Sequence, residues 1–205
     1  MAKGVEMMVF SKARLVFLSV PKTGTTAYES ALGPLADILV SNPPELKHAP
    51  VYRYNRFFRP MLEKFVAEDL EILAVVREPI SWLGSWYRFR QRPFMAGKPN
   101  ATHDLSFDDF VEGYCQGQRP GFANVGSQAK FLEPAGNGTC ATKLFRYEDQ
   151  AGLRAWLEER LETRIETARE NVSPEMDLAL SPEVEAKLRR KQAEEFALYD
   201  SIPVR

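Results

Sequence analysis

Apolar residues fall into short β-rich runs separated by stretches of helical period. Residues 13–20 (ARLVFLSV) are nearly all apolar, the pattern of a strand buried on both faces in a parallel sheet. Pro21 stops that strand, Gly24 permits a tight turn, and Thr25 or Thr26 is placed to cap a helix running to about Leu32. Residues 36–40 predict a second short strand. Between 50 and 66, Tyr54, Phe57, Phe58, Met61, Leu62 and Phe65 recur at helical spacing, and Arg53, Arg56 and Arg59 lie three apart on one face. Residues 71–76 (EILAVV) form the clearest buried strand, with Arg77 at its end. Pro79 suits the first turn of a helix to about Arg90, where its missing N–H costs nothing. Ser106 and Asp109 predict a capped helix to about Gln116. A short helix near Ser127, a strand over 140–146, a helix over 149–161 and a last amphipathic helix over 182–198, capped by Ser181, complete the reading. Strands alternating with helices predict an α/β fold with a mainly parallel sheet, in one domain spanning 1–205.

Composition narrows the partners. The chain has 205 residues, 27 Lys and Arg against 28 Asp and Glu, a net charge of -1 and 11% aromatic residues. The aromatic content supplies too much apolar surface for a disordered chain. The charge balance excludes a broad basic nucleic-acid surface but not a local cluster of cations. Cys115 and Cys140 read as two unpaired thiols, and no Cys/His spacing suggests a metal site. No apolar run is long enough to span a membrane and no cleavage site follows the basic N-terminal residues, so the expected location is cytoplasmic.

The most informative segment is Ser19-Val20-Pro21-Lys22-Thr23-Gly24-Thr25-Thr26, which joins a buried strand to a helix N-terminus. Backbone N–H groups there lack intrahelical partners, and the helix dipole adds positive potential, so a phosphate or sulfate fits. Gly24 lets the anion approach the backbone, Thr25 and Thr26 add hydroxyl donors, and Lys22 adds a full charge. The order differs from a Walker A loop, because Lys22 precedes the segment's glycine. A second strand–helix junction follows at Val75-Val76-Arg77-Glu78-Pro79, with Ser85 two turns into the helix. An Arg and a Ser so placed can hold another phosphate, while the plainer alternative is a structural Arg paired with a carboxylate. Two such junctions in adjacent βα units imply a ligand with two separated anionic groups.

Pro21 to Thr26 resembles the 5′-phosphosulfate loop of sulfotransferases, and Arg77 to Ser85, in V-V-R-E-P-I-S-W-L-G-S, resembles their 3′-phosphate motif. Phe145-Arg146-Tyr147-Glu148-Asp149, Gln128 in S-Q-A-K-F-L, and Asn171-Val172-Ser173 are similar to recurrent pieces of the carbohydrate-type and bacterial branch. The late Gly-rich string of the cytosolic small-molecule enzymes is missing, which also points to that branch. The resemblance implies a three-layer, P-loop NTPase-like sulfotransferase fold and the donor 3′-phosphoadenosine 5′-phosphosulfate (PAPS), released as adenosine 3′,5′-bisphosphate (PAP), with no metal. It implies that Pro21, Lys22, Thr23, Gly24, Thr25 and Thr26 hold the 5′ side, with Lys22 stabilising the leaving oxygen. Arg77 and Ser85 would hold the 3′-phosphate.

The family draws its base from the segment after the first helix, and there His48 stands in E-L-K-H-A-P; Glu29 and Glu45 are the fallback carboxylates. His103, in a polar loop, reads as solvated. Arg53 and Arg56 are candidate contacts to an anionic acceptor or simply a solvated face. The expected acceptor is a small molecule or carbohydrate. Two other readings stand beside this one: a P-loop-like kinase or nucleotide hydrolase with a degenerate loop, and an inactive nucleotide-binding module.

Overall fold

The structure, a computed structural model, describes residues 7–166, 176 and 178–203. Its elements run β1 (Met7–Phe10), β2 (Leu15–Leu18), α1 (Thr25–Leu32), β3 (Ile38–Val40), α2 (Pro44–Lys47), α3 (Val51–Arg53), α4 (Arg59–Phe65), β4 (Glu71–Val76), α5 (Pro79–Arg90), α6 (Phe107–Tyr114), α7 (Gln128–Phe131), β5 (Lys143–Arg146), α8 (Gln150–Leu161), α9 (Pro182–Lys191) and α10 (Ala193–Asp200). The fold is mixed α/β. Its described residues fall into two compact units, one within Met1–Arg77, Gln128–Asn171 and Ile202–Arg205, the other within Glu78–Ser127 and Val172–Ser201.

The first unit is built on a five-stranded sheet ordered β3-β1-β2-β4-β5. β2 pairs with β4, and β4 with β5, in parallel; β1 is antiparallel to both β2 and β3. The sheet is therefore mixed rather than mainly parallel, because of β1, a strand the sequence pattern did not announce. β1 and β2 are joined by a tight turn in which Arg14 adopts φ 50 and donates its backbone N–H to the Ser11 carbonyl at 3.0 Å. No glycine or asparagine marks that turn.

Alternation along the strands explains the core. Leu15 and Phe17 of β2, Leu73 and Val75 of β4 and Phe145 of β5 pack with Tyr28 and Leu32 of α1 and Leu153 and Leu157 of α8. Their sequence neighbours Val16, Leu18, Ile72, Ala74 and Val76 are buried as well, as expected for strands covered on both faces. Each large side chain buried there contributes about 1.5–3 kcal/mol.

The topology places a switch point. β3 runs parallel to β2 one strand away, so the chain leaving β2 travels past β1, while the chain leaving β4 travels to β5 on the other side. Connections that diverge this way leave an opening at the carboxyl ends of the two strands, where ligands of open α/β sheets bind. That switch point falls between the end of β2 and the end of β4.

In the second unit α5, α6 and α9 supply a separate core, with Trp82, Leu83, Tyr87, Phe107, Phe110, Val111, Tyr114, Val184 and Leu188 buried together. The capping box at Ser106 is complete: its hydroxyl accepts from the Asp109 N–H at 3.0 Å, and the Asp109 carboxylate accepts from the Ser106 N–H at 3.0 Å. The expected helix over 182–198 is two, α9 and α10, meeting at Gln192; Ser181 occupies the N-cap position of α9 without a side-chain cap bond. Asn171-Val172-Ser173 and the Ser173-Pro174 turn lie outside the described residues.

The helix expected over 50–66 is also interrupted. α3 and α4 are joined by one π turn, Tyr54–Phe58. A wider turn shifts every later side chain around the axis. Tyr54 and Leu62 are fully buried, whereas Phe57, Met61 and Phe65 face outward.

Candidate functional site

The loop after β2 is the most unusual backbone of the first unit. Lys22 has φ 66 and Gly24 φ 73, two left-handed residues within three positions. For the lysine this conformation costs about 1–3 kcal/mol, so the surrounding structure must impose it. The fastenings are visible. The Thr23 hydroxyl donates to the Val20 carbonyl at 2.8 Å, and the Ser19 and Thr25 hydroxyls share a hydrogen bond at 3.0 Å. Ser19, Val20, Thr23 and Thr25 are all buried.

Gly24 sits at the N-cap of α1, and no side chain caps that helix. This corrects the expectation for Thr25 and Thr26: neither caps, because the helix begins at Thr25 itself, whose hydroxyl is turned back to Ser19. Left-handed residues within such a turn belong to the backbone geometry that forms anion-binding concavities, and the uncapped N-terminus of α1 adds to it. Gly24 is needed for a second reason. A Cβ there would lie 2.6 Å from Cε2 of Tyr147.

Arg77 stands at the end of β4, on the other side of the switch point. Its backbone is clamped by the wholly buried amide of Gln128: the Arg77 N–H donates to Gln128 Oε1 at 2.9 Å, and Gln128 Nε2 donates to the Arg77 carbonyl at 2.8 Å. Its guanidinium lies over the Tyr147 ring, 4.3 Å from the centroid, and Nη1 is 3.5 Å from the Lys22 carbonyl. Tyr147, just beyond β5, is itself tied to β4 by its N–H, which donates to the Val76 carbonyl at 2.7 Å. One aromatic ring thus touches both the glycine of the first loop and the arginine of the second strand end.

His48 follows α2 and comes to the same place. Its Nδ1 lies 2.8 Å from the carbonyl of Ser19, the residue that opens the β2–α1 loop. A carbonyl only accepts, so Nδ1 carries the proton and Nε2 keeps a free lone pair. Burial pushes the His48 pKa below the ordinary histidine range; the Ser19 carbonyl opposes this in part, and the Lys47 charge adds to it. The imidazole is therefore neutral at neutral pH, as a proton acceptor must be.

The remaining candidates separate. Ser85 is buried on α5 in the second unit, and its assignment stays with the resemblance. Glu78 serves as the N-cap of α5, its carboxylate accepting from the Ser81 N–H at 2.7 Å. Arg53 donates to the Glu45 carbonyl at 2.5 Å and lies over the Tyr52 ring, and Arg56 lies over the Phe57 ring. Arg59 is drawn elsewhere, to Glu63 at 2.5 Å and Thr139 at 2.7 Å. The three arginines therefore do not form one basic face, because the π turn falls between them. Glu29 is buried on α1, and His103 is exposed.

Gln128 and Tyr147 are the residues that sequence reasoning undervalued. Each lay in a string resembling a family piece, but nothing local assigns the clamp or the bridging ring. Among the described residues no group of three or more His, Cys, Asp or Glu is placed to hold a metal ion, and no helix is long and apolar enough to cross a membrane. No family model matches the chain, and no similar protein was found among curated sequences or solved structures.

Proposed function

We propose that this chain is a PAPS-dependent sulfotransferase that transfers a sulfuryl group to a hydroxyl or amine of a small-molecule or carbohydrate acceptor. The observation that carries the reading is the meeting of three parts at the ends of β2 and β4: a left-handed loop bearing Lys22 and Gly24, the clamped Arg77, and a neutral His48 seated on Ser19. The finer fold assignment, a three-layer P-loop NTPase-like sulfotransferase fold, is part of the same proposal.

The residues divide the work by their chemistry. The backbone from Pro21 to Thr26 and the uncapped end of α1 bind the donor's 5′-phosphate. Arg77, fixed through its backbone and its ring contact, meets the 3′-phosphate; the resemblance assigns Ser85 to the same group. His48 Nε2 accepts the proton of the acceptor as its oxygen or nitrogen bonds to sulfur. The sulfur–oxygen bond to the 5′-phosphate breaks in line, and Lys22 stabilises the charge that develops on that oxygen. The products are the sulfated acceptor and PAP, and the proton stays on His48 until solvent removes it.

Thermal unfolding with PAP, with ATP and Mg²⁺, and with neither ligand tests the assignment. A ligand held at one hundred times its Kd stabilises by about 2.7 kcal/mol, a shift of several degrees for a chain of this size. The expected result is a rise in Tm with PAP. A rise with ATP and Mg²⁺ but none with PAP would replace the reading with a kinase or nucleotide hydrolase. Tight PAP binding with no transfer from PAPS to any acceptor in a broad screen would make the chain an inactive binding module.

A further inference from the structure

The segment 51–65 carries a feature that sulfuryl transfer does not use. Its inner side is anchored by Val51, Tyr54 and Leu62, all fully buried. Its outer side exposes Tyr52 (56%), Phe57 (58%), Met61 (42%) and Phe65 (75%). Phe57, Met61 and Phe65 follow at intervals of four, the spacing of one helix face, and Tyr52 precedes Phe57 by five, the spacing of one π turn. A π turn, costly in itself, thus keeps an apolar stripe on the outside of the protein. Large apolar side chains exposed together at helical spacing mark a contact site.

Basic side chains lie over three of the exposed rings. Arg53 lies over the Tyr52 ring at 5.4 Å, Arg56 over Phe57 at 5.3 Å, and Lys64 over Phe65 at 5.3 Å. The acid of the segment, Glu63, is paired at 2.5 Å with Arg59 and lines a different cavity with it. In a chain of net charge -1, this one segment concentrates four cations against one acid.

We propose that the outer face of 51–65 is a docking surface for an anionic lipid bilayer, on which the segment lies in the interfacial plane. Aromatic rings with basic side chains beside them match that layer, where rings sit at the headgroup level and cations meet lipid phosphates. Two other occupants fit less well. A second copy meeting the stripe across a two-fold axis sets two faces, each rich in Arg53, Arg56 and Lys64, against one another. A folded protein partner needs preformed pockets for four projecting side chains, whereas a fluid bilayer moulds itself to a convex face. The inference does not depend on the sulfotransferase reading.

Sedimentation with sucrose-loaded vesicles tests it, comparing pure phosphatidylcholine with phosphatidylcholine containing phosphatidylserine, at low and at high salt. The expected result is binding to the serine-containing vesicles that salt weakens. The double variant Phe57→Ser/Phe65→Ser and the triple variant Arg53→Gln/Arg56→Gln/Lys64→Gln should each reduce it by about tenfold. Arg56, Phe57, Lys64 and Phe65 are exposed, Arg53 is half-buried with a bond to the Glu45 carbonyl, and unchanged thermal melts confirm that the variants fold. No binding to either vesicle, or binding that both variants leave intact, overturns the proposal. So does a wild-type dimer on light scattering that Phe57→Ser/Phe65→Ser makes monomeric, which would give the stripe to a second copy. PAP-induced stabilisation, measured on the same variants, should be unaltered.

Discussion

The two strand–helix junctions look alike in sequence and are built on opposite principles. After β2 the backbone is twisted into left-handed conformations and α1 starts without a side-chain cap. After β4 the chain runs into α5 through Pro79 at the first turn, and the Glu78 carboxylate accepts the Ser81 N–H. A helix end that already holds its own carboxylate has little left for a foreign anion. The first junction therefore offers its backbone, while at the second any anion must be met by a side chain, Arg77. Arg77 is held firmly, by the Gln128 amide on its backbone and the Tyr147 ring under its guanidinium.

The largest expected effect lies at the first junction and concerns chemistry. On the proposed mechanism, His48→Ala should lower sulfuryl transfer by about 10²–10⁴-fold while PAP still binds, because it removes the proposed base and leaves the β2–α1 loop intact. Transfer of labelled sulfate from PAPS to a screened alcohol acceptor measures the first, and the PAP-induced Tm shift the second. Near-normal turnover removes His48 from the base role. The sign of the pH effect also follows. With its folded pKa depressed by burial, His48 contributes stability that is present above its unfolded pKa and lost as pH falls through the folded one. The acid limb of kcat/KM should accordingly lie below the ordinary histidine range.

Next is Gly24→Ala, which places a side chain at φ 73 and drives a Cβ to 2.6 Å from Tyr147 Cε2. The expected loss is about 2–3 kcal/mol in urea unfolding, with weaker PAP binding, since a displaced Tyr147 carries Arg77 with it. A loss under about 0.5 kcal/mol would show that the left-handed loop is not imposed. Gln128→Ala strips both partners from the Arg77 backbone and should cost about 2 kcal/mol. It should also weaken PAP binding, which titration calorimetry reads directly. Glu78→Ala should cost about 1 kcal/mol for the lost cap and leave PAP affinity essentially unchanged. If Glu78→Ala weakened PAP as much as Gln128→Ala, the distinction between the junctions would fail.

Much of this contrast was legible in the chain. β4 and α5 lie where the apolar run 71–76 and Pro79 put them, because a strand buried on both faces and a proline-started helix each leave a strong local mark. His48 was singled out only through the family resemblance, and its contact with the Ser19 carbonyl is one the sequence did not foretell. What the chain hid was non-local or backbone-driven. β1 is four residues joined through Arg14 at φ 50, a turn no glycine announces. The π turn over Tyr54–Phe58 has no periodicity of its own, so residues read as one apolar face divide into buried Tyr54 and Leu62 and exposed Phe57, Met61 and Phe65. Tyr147 meets Gly24 and Arg77 only because β5 lies beside β4.

The smallest change in stability gives the sharpest test of the comparison. Thr26→Glu places a carboxylate in the first turn of α1, a half-buried position near the uncapped end. On stability alone the substitution should help, by about 0.3–1 kcal/mol, since an acid near a helix N-terminus meets the positive end of the dipole. It would give the first junction an acid like the one Glu78 supplies at the second. If the backbone there binds the donor's 5′-phosphate, the new carboxylate must repel it, and PAP affinity should fall by about tenfold or more as Tm rises slightly. A general loosening of the fold cannot produce that pair of results, because it lowers both. Should Thr26→Glu leave PAP affinity intact, the anion is not held at the end of α1, and the contrast between an open and an occupied helix terminus loses its functional meaning.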